Sequence, residues 1–170
     1  MGKNMKKSKK DRKSSEVATE GDESVAGPSV ENTLEQVVYT SPIAQPMASS
    51  KVTKKIRKLI KASLALNEKM YLRNGLKDVQ SSIRKKERGL VVFAGDVTPI
   101  EVMCHLPGVC EELDIPYVYV NSRQVLGSAL GMKRGSLMVL LKRHDNYGDL
   151  YDKVVKSINS LPPPWTYEFQ

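Results

Sequence analysis

Cysteine is scarce: the 170 residues contain two, Cys104 and Cys110. Two thiols cannot build a disulfide framework, and without a second pair they do not complete a zinc site, so a reducing compartment is the expected setting. Long apolar runs are missing as well. The longest are five residues, Leu90–Ala94 and 137–141, far below the roughly eighteen that a membrane-spanning helix requires. The first residues are lysine-rich and lead into an acidic, polar stretch with no apolar segment, which argues against a secretory signal and for the interior of a cell. Gly2 is followed by Lys6 where a myristoylation pattern needs Ser or Thr. There is no internal repeat and no phosphate-cradling glycine motif: Gly127, Gly131 and Gly135 recur at every fourth residue without the companions of a P-loop or a GxGxxG turn.

What is present is enough for one compact domain with appendages, since 40% of the residues are hydrophobic and 27% charged. The net charge of +8 is uneven. Residues 1–13 carry +6, residues 14–40 carry −6, residues 51–88 carry +10 and residues 89–170 carry −2. The first two blocks cancel and contain few large apolar groups, so residues 1–40 are expected to be a disordered charged arm whose basic opening resembles a nuclear localisation signal. The polycation at 51–88 makes RNA, DNA or an anionic surface the expected partner, against the plainer alternative of a solvated face.

Helical spacing begins at residue 50. Val52, Ile56, Leu59, Ile60, Ser63 and Leu64 share one side, and Lys51, Lys54, Lys55, Arg57, Lys58 and Lys61 fill the other. An extended piece around Tyr71 and Leu72 and an Asn74-Gly75 turn lead into a second helix. Its inner stripe is Leu76, Val79 and Ile83, with Lys77, Ser81, Arg84 or Lys85, and Arg88 outward until Gly89 stops it. Leu90–Ala94 reads as a strand buried on both faces. Thr98, Pro99 and Glu101 offer an N-cap, a first-turn proline and a capping-box glutamate for a third helix, which Pro107 interrupts near Leu106. Strands follow at Tyr117–Val120 and 137–141, separated by a short helix that Ser122 caps and that runs to Gly131. A last helix through Tyr151, Val154 and Ile158 ends before Pro162, Pro163 and Pro164. This alternation predicts an α/β chain: a three-layer α/β/α sandwich on a small mixed, largely parallel sheet of about four strands.

Asp96, Glu101 and His105 are the acid–base candidates, with Glu101 and His105 expected on one helical face. A capping glutamate is already employed and no nucleophile accompanies the group, so catalysis is disfavoured. Cys104, His105 and Cys110 point in different directions around a helix and lack a fourth ligand, so neither metal nor cofactor is expected. Residues 131–135, Gly-Met-Lys-Arg-Gly, make an exposed turn with two bases between glycines, able to approach a nucleic-acid backbone closely. A solvated surface loop is the plainer alternative there.

Several stretches carry a resemblance: GLVVFAGDVTPIE from Gly89, HLP from His105, Cys110 with Glu111, IPYVYV from Ile115, and residues 122–127 with the closing Leu130-Gly131. Over about residues 41–161 the chain resembles the kink-turn RNA-binding ribosomal protein family, and SPIAQPMA at 41–48 ahead of a Lys-rich helix is similar to its box H/ACA branch. The resemblance implies an α/β/α fold and a non-catalytic RNA-binding core subunit of a box H/ACA particle, in the nucleus and nucleolus. It implies support of ribosomal RNA pseudouridylation and processing, and of telomerase RNA stability. The implied partners are a structured guide RNA, a separate pseudouridine synthase subunit and small accessory subunits, the free chain being a monomer. The RNA contacts it implies fall on Gly75, Lys77, Asp78 and Ser81, with Arg84 and Lys85 further along. They continue at Thr98 and Val102, at Arg123, and at Met132, Lys133, Arg134 and Leu137. Lys77 and Asp78 stand where kink-turn readers have Asn and Glu, and Ser81 where they have Lys, so backbone electrostatics should outweigh base recognition. A kink-turn-specific reader of a ribosome, spliceosome or box C/D particle is the alternative, and a small acid–base enzyme the more distant one. Residues 41–161 form the expected domain, and 162–170 a Pro-rich tail.

Overall fold

The computed structural model describes residues 39–162 and Thr166, without the side chains of 67–69. The arm expected at 1–40 lies outside the described residues apart from Tyr39 and Thr40, and the tail at 162–170 apart from Pro162 and Thr166. The chain runs α1 (Ser50–Tyr71), β1 (Leu72–Asn74), α2 (Leu76–Arg84), β2 (Leu90–Ala94), α3 (Leu106–Glu112), β3 (Tyr117–Val120), α4 (Arg123–Ala129), β4 (Met138–Leu141) and α5 (Gly148–Asn159). Single 3-10 turns lie at Ile100–Val102 and Asp145–Tyr147.

The strands form one mixed sheet in the order β1-β4-β2-β3. Every residue of β2, β3 and β4 is buried. Successive side chains on a strand leave on opposite faces, so helices cover both sides of the sheet and the α/β/α layering follows. On these layers α1 packs against α4, α5, β1 and β4, while α2 packs against β1 and β4. The four strands and the mixed sheet agree with the sequence, but "largely parallel" needs correction: β2 pairs parallel with β3, whereas β4 is antiparallel to both β1 and β2. Continuous apolar runs report burial on two faces and carry no information about direction.

Residues 41–48 lie along the outer edge of β3. The Ser41 N–H donates to the Gly95 carbonyl at 2.8 Å, the Tyr119 N–H to Pro46 at 2.9 Å, and the Ala48 N–H to Tyr119 at 2.7 Å. The outward backbone groups of Tyr119, which the edge strand would leave bare, are paired in this way.

Four helix boundaries differ from the sequence expectation, the slightest being α4, which ends at Ala129 and not at Gly131. The helix α1 continues to Tyr71, so the extended piece is Leu72–Asn74. Gly89 does not stop α2, which ends five residues earlier in a Schellman turn: the Lys86 N–H reaches the Ile83 carbonyl, the Glu87 N–H reaches Ser82, and Lys86 takes the left-handed conformation at φ 58°. Arg88 is therefore off the helix. Gly89 instead lets the chain approach β4, where a Cβ would meet the Leu141 carbonyl. The last correction concerns Thr98, which caps no helix. Residues 100–102 make a 3-10 turn, and α3 begins at Leu106 with Pro107 in its first turn. A helix running from 99 would place the proline ring against the Met103 carbonyl and lose a hydrogen bond, whereas in the first turn the missing N–H costs nothing.

Candidate nucleic-acid interface

Strand direction gathers the candidate residues. With β4 antiparallel to β1 and β2, and β3 parallel to β2, the last residues of β1, β2 and β3 and the first of β4 share one end of the sheet. The register confirms it: Asn74 pairs with Val139, Phe93 with Met138, and Ala94 with Val120. The start of α2, the loop at 95–99, the start of α4 and the loop at 130–137 all emerge there.

Hydrogen bonds lock these four segments together. Gly75 takes φ 89°, a left-handed-side conformation open to glycine, and its N–H donates to the Met138 carbonyl at 3.1 Å. Asn74 accepts at Oδ1 from the Ser136 hydroxyl and donates through Nδ2 to the Met132 sulfur at 3.1 Å, so one side chain joins the α2 start to the 130–137 loop. That loop leaves α4 through a second Schellman turn: the Met132 N–H binds the Gly127 carbonyl at 2.9 Å, the Gly131 N–H binds Ser128 at 3.3 Å, and Gly131 has φ 71°. The loop then folds back on its own helix. A Cβ on Gly127 would strike the Arg134 carbonyl, and one on Gly135 would stand 2.7 Å from the Arg123 Cγ. Asp96 fastens the remaining corner, accepting from the Ser122 hydroxyl at 3.0 Å and the Arg123 N–H at 2.7 Å, with the Arg123 Nε at 3.9 Å. Ser122 in turn caps α4 by accepting from the Gln124 N–H at 3.1 Å. The Ser136 N–H donates to the Arg123 carbonyl at 3.0 Å and closes the circuit.

Lys77, Asp78 and Ser81 are exposed on α2, Thr98 on the β2–α3 loop, Arg123 at the head of α4, and Met132, Lys133 and Arg134 on the 130–137 loop. Val102 is half-buried in the 3-10 turn, and half-buried Leu137 accepts from the Ala94 N–H at 2.9 Å. Arg84 and Lys85 are exposed too, but about 10 Å further along α2 than Lys77, so they are not brought to this end of the sheet. Among the described residues, Lys77, Lys133 and Arg134 take part in no ion pair. Their charge is free to meet a polyanion, and Met132, 41% exposed beside them, presents an apolar surface to an unstacked base. Asn74 and Asp96, read from the sequence as a turn residue and an acid–base candidate, serve here as braces. An Asn-Gly pair signals a turn, but nothing in the sequence couples it to Ser136, 62 residues later.

The acid–base candidates do not come together. Asp96 is engaged at the start of α4, Glu101 belongs to the 3-10 turn, and His105 precedes α3 with its Nε2 3.1 Å from the Gln80 amide. Glu101 and His105 therefore share no helix. Cys110 is buried, and burial together with the Glu111 charge pushes its thiol up to about 12, whereas Cys104 is exposed. No group of three potential metal ligands occurs among the described residues.

Comparison with known proteins agrees with this geometry. Residues 54–151 match the ribosomal protein L7Ae/L30e/S12e/Gadd45 family. The chain is 50% identical over 130 residues to the H/ACA ribonucleoprotein complex subunit 2-like protein of Drosophila yakuba, covering 76% of this chain and 80% of that protein. It is 44% identical to the H/ACA ribonucleoprotein complex subunit 2 of Bos taurus, covering 76% and 83%. Among solved structures, the 15.5kD RNA binding protein of Giardia lamblia superposes with a TM-score of 0.66 at 26% identity, over 72% of this chain and 99% of that one. The chain belongs to the L7Ae/L30e/S12e/Gadd45 ribosomal protein family, within its H/ACA ribonucleoprotein complex subunit 2 group.

Proposed function

We propose that this protein is a non-catalytic RNA-binding core subunit of box H/ACA ribonucleoprotein particles. It supports site-directed pseudouridylation and processing of ribosomal RNA by a separate synthase subunit, and the stability of telomerase RNA, and works in the nucleolus beside that synthase and small accessory subunits. The observation that carries the proposal is the convergence of Gly75, Lys77, Arg123 and the Met132–Lys133–Arg134 run on one braced end of the sheet, with the cations Lys77, Lys133 and Arg134 unpaired among the described residues. Phosphates of a bent or looped RNA meet Lys77 at the start of α2, and Lys133 and Arg134 hold the strand from the facing loop. Lys77 can only donate and Asp78 only accepts on a short stem, so this surface follows the backbone more than the bases. Placement on the correct RNA then comes from the protein neighbours in the particle.

Gel shifts at several salt concentrations test the proposal with three RNAs: a kink-turn, the same RNA with its sheared pairs disrupted, and an H/ACA hairpin. Similar and salt-sensitive affinities are expected for all three. Lys77→Ala with Arg134→Ala should weaken each, and reduce the salt slope by about 0.7 to 0.9 per lost phosphate contact. Unchanged binding by the double variant would remove the site from this end of the sheet. A strong preference for the intact kink-turn would make the protein a kink-turn reader instead.

A further inference from the structure

The largest basic cluster among the described residues is not at the sheet end. It lies on α1, whose inner side, Val52, Ile56, Leu59, Ile60 and Ser63, is fully committed to the core. At 3.6 residues per turn the opposite side presents Lys51, Lys54, Lys58 and Lys61 as one stripe, all exposed, about 15 Å from first to last. A second helix widens it. The helix α5 packs on α1, and the Lys55 ammonium donates to the Ser157 hydroxyl at 3.4 Å, so the outer sides of the two helices adjoin. Ser157 shares its side of α5 with exposed Lys153, and exposed Lys156 neighbours Lys153 one turn on. Two carboxylates accompany the α5 lysines, Asp149 a turn below Lys153 and Asp152, which Arg143 holds through two N–H donors at 3.1 Å each, so the excess of positive charge lies on α1. No ion pair among the described residues involves the α1 lysines.

We propose that the adjoining outer sides of α1 and α5 are a second, sequence-independent RNA-binding surface that grips the phosphates of a duplex stem extending from the RNA held at the sheet end. The proposal rests on the RNA-binding function argued above and adds a surface to it.

The chemistry selects RNA over the other anionic partners. A membrane-surface helix needs an apolar side to insert, and α1 has spent its apolar side on the core. A protein interface is centred on aromatic and aliphatic anchors and is depleted in lysine, whereas this surface is lysine with no large apolar group between Lys51 and Lys61 on its outer side. Lysine, a mobile point charge, suits phosphates whose positions change with sequence and bending. Even at the charge spacing of a DNA duplex, fifteen ångströms of axis presents about nine phosphates, and the more compact RNA duplex presents more, ample for four lysines in a row.

The test uses the full chain with two variants and two RNAs. The stripe variant carries Lys54→Gln, Lys58→Gln and Lys61→Gln, exposed positions where glutamine keeps helix propensity; the loop variant carries Lys133→Gln and Arg134→Gln. One RNA is an H/ACA hairpin with its full stem, and the other keeps the same loop on a stem too short to leave the sheet end. Circular dichroism melts confirm that both variants fold. The stripe variant is expected to bind the long-stem RNA roughly tenfold or more weakly, with a salt slope smaller by about 2 to 3, and to bind the short-stem RNA like the parent. Equal binding of the long-stem RNA by parent and stripe variant overturns the proposal, as does an equal loss on both RNAs. Loss of binding to anionic phosphatidylserine vesicles with RNA binding unchanged overturns it in favour of a membrane surface. Failure of the sheet-end site is separable: in that case the loop variant, not the stripe variant, leaves both RNAs bound as before.

Discussion

Asn74 shows how much of the interface depends on one side chain. It precedes the glycine that opens α2, and its amide reaches across the sheet end to Met132 and Ser136. Ser136 is buried and keeps a second, longer bond to the Met138 carbonyl at 3.3 Å, so Asn74→Ala does not orphan the hydroxyl. The expected loss of stability is accordingly modest, about 1 kcal/mol. The effect on the 131–136 segment should be larger, because the amide is the side-chain tie that holds the loop against α2. Urea unfolding gives the first quantity. Hydrogen exchange gives the second, with faster exchange expected across residues 131–136 and little change in β2. Unaltered protection of that segment in Asn74→Ala would show that the Schellman turn and the Gly127 contact suffice to hold it. Lys133 and Arg134 have no comparable structural partners among the described residues, so their replacement should change binding and leave the loop's protection intact.

Elements meet at the opposite end of the sheet through Glu87. It follows the Schellman turn of α2, and its Oε2 lies 2.9 Å from Lys142 beyond β4 and 3.8 Å from Arg73 in β1. The Lys142 ammonium, 2.9 Å from Oε2, holds the carboxyl below the ordinary glutamate range against the opposing effect of burial, with help from the Ser82 hydroxyl and the charge of Arg73. The sign follows directly: a carboxyl lowered by folding stabilises the fold above its unfolded value, about 4.3, and that stabilisation is lost as pH falls through the folded value. Between about pH 6 and about pH 3, Glu87→Gln should lose less stability than the parent in urea unfolding; parallel losses would show that this junction does not titrate with the fold. None of the junction was legible beforehand. Strands were, because a five-residue apolar run bounded by glycine is too short for a buried helix and suits a strand covered on both faces. The Ser122 cap of α4, a local side-chain bond, was legible too. Helix ends were not, since Lys86 rather than Gly89 holds the left-handed position, and Pro107 moved the start of α3 away from three agreeing signals at Thr98, Pro99 and Glu101. The candidate contact residues were found through resemblance, while their bracing by Asn74 and Asp96 depends on pairings that only the folded chain creates.

Across the whole molecule, recognition and stability occupy different places. The sheet interior is sealed on both faces, and the residues proposed to meet RNA stand on loops and helix starts at one end, anchored to strands but adding little to the core. Leu140 is fully buried in β4, a central strand flanked by β1 and β2. Leu140→Ala should cost about 2 to 5 kcal/mol, a large share of the 5 to 15 or so that a domain of this size possesses. That loss is measured by the urea midpoint. Among molecules that remain folded, the sheet end keeps its strand termini in register, so RNA affinity at low temperature and its salt slope should stay near those of the parent. Lys77→Ala with Arg134→Ala should do the reverse, holding the midpoint while lowering affinity and slope, because both side chains are exposed and make no ion pair among the described residues. A core substitution that weakened RNA binding as strongly as the charge removal would mean that the sheet end adapts to its RNA through the interior. The bracing by Asn74, Asp96 and the three glycines of the 127–135 segment argues for the other outcome, a surface set before the RNA arrives.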